Sequence, residues 1–86
     1  MSESVLKRCR PASGVRATGD TRFVVDGVER TAFAELRIVT VDGCIYLSMC
    51  DENGTEVTDT FHESIGDAMD QAEFSFGVTD GDWTDG

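Results

Sequence analysis

Three acidic side chains and one aromatic side chain recur at helical spacing in the second half of the chain. Glu63, Asp67, Asp70 and Phe74 are separated by four, three and four residues. At about 100° per residue, this spacing places all four on one side of a helix. Ionised carboxylates attract cationic surfaces, and large aromatic side chains often anchor protein interfaces. These four residues therefore predict a partner-binding surface.

Each of these residues also has a structural explanation. Acids on the outer side of a helix keep it solvated, and Glu63 and Asp67 also interact favourably with the dipole at the helix start. Phe74 is expected either to pack on the C-terminal tail, against Val78 or Trp83, or to face a partner. Both alternatives stay open at the level of the sequence.

The tail, residues 79–86, again combines an aromatic side chain with acids. Trp83 is the single tryptophan, and three aspartates stand close to it. An aromatic residue among acids predicts a docking element, so Trp83 joins the candidate partner-binding residues. The alternative is that Trp83 folds back and closes the edge of a small core.

Catalytic and metal-binding patterns are poorly represented. His62 is the only histidine, and Cys9, Cys44 and Cys50 lack the short-loop spacing of structural zinc sites. A pair between His62 and Cys44 or Cys50 stays open, although a lone histidine before a helix is usually structural. The chain has no phosphate-binding loop, nucleophile elbow or dinucleotide-binding glycine pattern. We therefore predict no enzyme activity, no cofactor and no metal.

The charges are distributed asymmetrically along the chain. All seven basic residues lie in the first 37 positions, whereas residues 44–86 contain eleven acids and no Lys or Arg. This asymmetry predicts a protein partner with a basic surface and disfavours direct nucleic-acid binding, which needs a cationic surface. No apolar run approaches the roughly 20 residues that cross a bilayer, and no secretory signal is recognisable. We therefore expect no membrane association and a cytoplasmic location.

Turn signals and hydrophobic periodicity predict the fold. Asp26-Gly27, Asp42-Gly43 and Asn53-Gly54 separate four β-rich runs, which indicates an antiparallel meander. Ser64 is a predicted helix N-cap and Gly77 a predicted C-terminal stop, with an apolar stripe between them. The prediction is an α+β fold of order β-β-β-β-α, with about four strands covered on one face by a single C-terminal amphipathic helix.

The predicted domain organisation has three parts. Residues 1–20 form a flexible basic arm or, alternatively, a loosely attached first strand, residues 21–78 a single α+β domain, and residues 79–86 an acidic tail. The first part contains Pro11 and two glycines without a sustained apolar period.

The last half of the chain also carries a loose sequence signature. Its positions are Thr58-Asp59-Thr60-Phe61-His62, Ser64, Asp67-Ala68, Gln71-Ala72-Glu73-Phe74, Phe76-Gly77-Val78 and Trp83. This signature resembles that of small uncharacterised bacterial proteins with a β-meander followed by one helix. Domains of this size and charge are similar to toxin-immunity proteins, which bind and block a basic toxin. The resemblance implies a binding function and no catalytic residues.

Two functional hypotheses follow. The first is a non-enzymatic acidic protein-binding module, of immunity or inhibitor type, that masks a basic surface of a toxin or nucleic-acid enzyme. The alternative is a structural or regulatory module that forms a homodimer or larger oligomer through its sheet, using the face that carries Val39 and Tyr46.

Overall fold

The computed structural model describes residues 3–18 and 23–85. Within these ranges the chain forms nine strands, one α-helix and one short 3-10 helix. In chain order the elements are β1 (Glu3–Cys9), β2 (Val15–Arg16), β3 (Phe23–Val25), β4 (Val28–Arg30), β5 (Ala32–Phe33), β6 (Glu35–Val41), β7 (Cys44–Cys50), β8 (Glu56–His62), α1 (Ile65–Phe76), the 3-10 helix (Asp80–Asp82) and β9 (Thr84–Asp85).

The strands form one large sheet and two small ones. The central sheet has five strands in the order β8-β7-β6-β1-β9, and the pairs β2-β5 and β3-β4 form separate two-stranded sheets. All of these pairings are antiparallel. The predicted α+β class, with an antiparallel sheet and one α-helix in the described residues, is confirmed.

The turns of the meander follow the predicted chemistry. Asp42 and Gly43, between β6 and β7, have φ angles of 52° and 82°, which the left-handed conformation of a tight hairpin turn requires. In the next turn, Asp51 Oδ1 accepts hydrogen bonds from the backbone N–H groups of Asn53 and Thr55, both at 2.9 Å. These local bonds fix β6, β7 and β8 as neighbours.

The number of strands in the central sheet is the first correction. The sequence predicted about four strands, with residues 1–20 as a flexible arm or a loosely attached strand. Instead β1 lies inside that segment and pairs with β6 from Leu36 to Val41. The register shifts between Val5 and Lys7, so Leu6 is an extra residue in the strand. This bulge reverses the alternation of side chains halfway along β1, which is why no strand period is visible in the sequence. The predicted tail supplies β9, which pairs with β1.

The second correction concerns the β-rich run between the Asp26-Gly27 and Asp42-Gly43 turns, from Val28 to Val41. It consists of the two short strands β4 and β5 and the seven-residue β6, instead of one long strand. The break turns Phe33 into the core, where it meets Phe23 and Phe76. The ring centroids of Phe23 and Phe76 are 5.3 Å apart in a stacked arrangement, and Phe33 lies edge-on to both at 5.9 Å. These ring contacts join both small sheets to the end of the helix.

The helix covers one face of the central sheet, as predicted. The Ser64 hydroxyl accepts a hydrogen bond from the backbone N–H of Asp67, and Gly77 ends the helix in the left-handed conformation. The fully buried side chains of the interface come from α1, β6 and β7: Leu36, Ile38, Leu47, Met49, Ala68 and Ala72. Among the described residues, no helix has both the length and the apolar character that a membrane crossing requires.

Candidate partner-binding surface

The outer side of α1 carries three of the predicted site residues. Asp67, Asp70 and Phe74 are exposed, whereas Ala68 and Ala72 on the opposite side are fully buried. At about 1.5 Å per residue, Asp67 and Phe74 lie roughly 10 Å apart along the helix axis. Phe74 is 57% exposed, so more than half of this residue's surface faces solvent. We call these three residues, together with the exposed neighbour Glu73, the helix ridge.

Glu63 lies outside the helix. It is exposed and precedes the N-cap residue Ser64. Helical periodicity therefore does not fix its direction, and the structure brings together only the remaining three of the four predicted ridge residues on one helix.

Asp67 also has a structural role. Its Oδ2 lies 2.8 Å from Nδ1 of His62, whose Nε2 lies 2.7 Å from Oγ1 of Thr60. Because a carboxylate only accepts, the Nδ1–H group donates to Asp67, and in the neutral ring Nε2 accepts from the Thr60 hydroxyl. His62 is 6% exposed. The two hydrogen bonds therefore satisfy both nitrogens of a buried ring and link β8 to the start of the helix.

The candidate pair between His62 and a cysteine does not form. His62 pairs with Ile45 in the sheet register, so it lies on the face covered by the helix. Cys44 and Cys50 alternate with Ile45 along β7 and project to the opposite face.

Trp83 lies in the core. It is 9% exposed and belongs to the same buried cluster as Cys9 and Val78. Of the two alternatives for this residue, the structure shows packing, because the pairing of β9 with β1 draws the tail back over the sheet. The Trp83 indole N–H has no hydrogen-bond partner among the described residues.

Three of the seven basic residues surround one buried carboxylate that sequence reasoning missed. Glu35 is 3% exposed, and its Oε1 accepts from Arg37 Nε at 2.8 Å and lies 2.7 Å from Arg37 Nη2. Arg8 and Arg10 each approach a Glu35 oxygen at 3.6 Å. We call this group the Glu35 cluster. The cluster depends on β1 lying beside β6, and that pairing is not visible in the sequence.

Four of the basic residues that the structure describes form ion pairs with acids outside the helix ridge. Three arginines contact Glu35, and Lys7 Nζ lies 3.7 Å from Asp85 in the tail. In the part of the chain that the structure describes, no Lys or Arg forms an ion pair with Asp70, Glu73 or Asp67. Among the described residues, the carboxylates of the helix ridge therefore have no Lys or Arg partner, and only Asp67 has a side-chain partner, His62.

The three cysteines are free thiols in different surroundings. Cys44 is exposed, whereas Cys9 and Cys50 are buried. Burial raises the pKa of the Cys9 and Cys50 thiols, and acidic neighbours raise the pKa of Cys9 further. Among the described residues no three His, Cys, Asp or Glu side chains are grouped closely enough to hold a metal ion.

Comparisons with known proteins found no matching family model, no matching curated protein and no matching solved structure. The geometry of the chain itself therefore carries the functional argument.

Proposed function

We propose that the domain is a non-enzymatic acidic protein-binding module of immunity or inhibitor type, which docks the helix ridge on a basic surface of its partner. One observation carries this proposal. Phe74 is 57% exposed on a helix face whose acids have no ion-pair partner among the described cations.

The free protein gains little from this arrangement. Glu73 lies in the last turn of α1, which contains no basic residue, so its charge opposes the negative end of the helix dipole. Such an acid costs about 0.3–1 kcal/mol. Neither Glu73 nor Phe74 is needed for the packing of the core, so a binding role accounts for both.

Docking would bury a useful area at Phe74. A phenylalanine side chain buries roughly 200 Å² in full, so a side chain that is 57% exposed offers about 110 Å². At about 25 cal/mol per Å², covering this area contributes roughly 2–3 kcal/mol. That value is on the scale of an interface hot spot.

The charge of the ridge indicates the class of partner. A cationic groove, such as the substrate site of a nuclease, would meet the carboxylates of Asp70 and Glu73 while Phe74 fills an apolar pocket beside them. Charge complementarity of this kind mainly speeds association and selects the partner, whereas the buried aromatic slows dissociation.

Affinity capture from the source cell tests the proposal. Wild-type protein, Phe74→Ala and Asp70→Arg serve as baits, and Val28→Arg is the control because it adds a charge at an exposed side chain of β4, outside the helix ridge and the central sheet. We expect a partner that the wild type and the control retain and that both ridge variants lose. If every captured protein binds all four baits equally, the helix ridge is not the binding surface.

A further inference from the structure

The face of the central sheet opposite α1 carries a row of apolar side chains, which we call the aromatic row. Phe61 at its β8 end is exposed, whereas Val39 within it is buried. In the sheet register Val5, Val39, Tyr46 and Phe61 are direct neighbours across β1, β6, β7 and β8. The Tyr46 and Phe61 rings are 5.8 Å apart at 72°, and Phe61 is 60% exposed. A large aromatic side chain at this level of exposure, continuous with partly buried apolar neighbours, is typical of an interaction surface.

Two charged rows lie beside the aromatic row. The nearer consists of Arg8, Arg37, Ser48 and Asp59 in neighbouring strands. The farther row consists of Glu35, Cys50 and Glu56, with Arg10 reaching Glu35 from the end of β1. Cations therefore lie on the β1 and β6 side of this face, whereas Asp59 and Glu56 lie on the β8 side.

The two ends of these rows do not neutralise each other within one molecule. Arg8 and Asp59 are three strand spacings apart, or about 14 Å, which exceeds the Debye length of about 10 Å at 0.1 M salt. Neither Asp59 nor Glu56 forms an ion pair with a described cation. Among the described residues, the Ser48 hydroxyl is the one side-chain donor to the Glu56 carboxylate. Arg8 keeps 40% of its side chain exposed despite its contact with Glu35.

We propose that a second copy of this chain covers this face, related by a two-fold axis that runs parallel to the strands. This rotation places β8 of each copy over β1 of the other. Asp59 of one copy then faces Arg8 of the other, and Glu56 faces Arg10. Phe61 meets Val5 in the same way.

The charge pattern favours a second copy over an unrelated partner. A face is self-complementary when the same patch serves both subunits of a two-fold interface. Here the rotation brings Asp59 onto Arg8 and Glu56 onto Arg10, whereas Glu35, already paired with arginines of its own copy, faces Cys50. A two-fold axis across the strands would instead place β8 over β8 and oppose the acids. The six charged groups of the two rows sum to zero, and Glu3, which pairs with Val41 on the same face, adds one acid. The whole chain carries −10, so copies that approach through this face meet only a small part of that charge.

The available area sets the expected strength. Four strands of about seven residues cover roughly 19 by 24 Å, or about 900 Å² summed over both copies. This area is below the roughly 1,200–2,000 Å² of stable interfaces and in the range of weak, transient ones. A dimer with a Kd in the range of about 1–100 μM is therefore expected.

Sedimentation velocity of the pure chain, from about 1 to 500 μM to bracket that Kd, tests the proposal. We expect the wild type to dimerise, and Phe61→Asp and Asp59→Arg to remain monomeric at concentrations where the wild type is mostly dimeric. Val28→Asp in β4, at an exposed apolar side chain outside the helix ridge and the central sheet, is the control and should dimerise like the wild type. Far-UV circular dichroism verifies the fold of each variant.

A mixing experiment tests the axis itself. Asp59→Arg copies and Arg8→Glu copies each place like charges opposite one another in their own dimers, but a mixed dimer restores both opposite-charge contacts. The mixture should therefore associate more tightly than either variant alone. A wild type that stays monomeric throughout, or a dimer that Phe61→Asp and Asp59→Arg leave intact, would overturn the proposal. Absence of mixed association between folded variants would overturn the proposed axis, and if Arg8→Glu fails to fold, the first two variants decide the result.

Discussion

Replacing Glu35 with alanine is the sharpest test of the packing of the sheet. The carboxylate has 4% of its side chain exposed and accepts from Arg37 Nε at 2.8 Å, with Arg37 Nη2 at 2.7 Å. Hydrogen bonds to a charged group contribute about 1.5–3 kcal/mol each. The lower value applies here because 22% of the Arg37 side chain is exposed and water can replace part of the lost contact.

The other two arginines add less. Arg8 and Arg10 lie 3.6 Å from Glu35 with 40% and 52% of their side chains exposed, and solvent-screened pairs of this kind contribute about 0.5 kcal/mol or less each. The two contacts with Arg37 account for most of the expected loss. We therefore expect Glu35→Ala to lower the free energy of unfolding by about 3 kcal/mol. For 86 residues, the total stability is roughly 4–13 kcal/mol, so the loss is a large fraction of it.

Urea unfolding monitored by the fluorescence of the single tryptophan, Trp83, measures this change. With a urea m-value of about 1–3 kcal/mol/M, the midpoint should fall by at least about 1 M. Glu52→Ala, which removes an exposed carboxylate, is the control and should change stability by less than about 0.5 kcal/mol. A double-mutant cycle with Arg37→Met isolates the pair. A cost below about 1 kcal/mol for Glu35→Ala would refute the assigned role of the Glu35 cluster.

Three further predictions concern the surroundings of single side chains. Partial burial, and secondarily the Glu56 carboxylate, raise the pKa of Asp59 above its ordinary 3.8. The folded state therefore binds the Asp59 proton more tightly than the unfolded state does. As a result, the free energy of unfolding falls as the pH rises from 3.8 through the raised pKa. In dilute monomer, Asp59→Asn should be more stable than the wild type at pH 7 and lose this advantage below pH 3.8, and a constant difference in denaturation midpoint would contradict the assignment. Trp83→Phe removes the indole N–H that has no partner among the described residues and should change the unfolding free energy by less than about 1 kcal/mol. Trp83→Ala should lower it by about 3–5 kcal/mol, measured by calorimetry. Similar losses of stability in the two variants would show that the indole N–H contributes to stability. A thiol reagent should titrate Cys44 rapidly in the native protein and the two buried cysteines only after unfolding, and three fast thiols would contradict this burial.

The parts of the fold that depend on neighbouring residues could be predicted from the sequence. The Ser64 cap, the Gly77 stop and the turns at Asp42-Gly43 and Asn53-Gly54 need only a few adjacent side chains to act. The apolar stripe of the helix was also visible, because its period is set by the helix itself.

The parts that depend on distant pairing could not be predicted. The bulge at Leu6 hides the alternation of β1, so neither the five-stranded sheet nor the arginines around Glu35 could be inferred. The burial of Trp83 depends on the same strand, because β9 pairs only with β1. Within the candidate site, the sequence predicted the exposed Phe74 and its acids as one of two alternatives, but it did not show that Asp67 is bound to His62.

The association and dissociation rates of the captured partner, measured over a salt series, test the binding role of the helix ridge most directly. We predict that the association rate falls with rising salt and falls less steeply for Asp70→Arg, while Phe74→Ala speeds dissociation by about 100-fold, which corresponds to about 2.8 kcal/mol. Val28→Arg, in β4 outside the helix ridge and the central sheet, should match the wild type in both rates. Equal rates for the wild type, Asp70→Arg and Phe74→Ala at every salt concentration would contradict the proposed function.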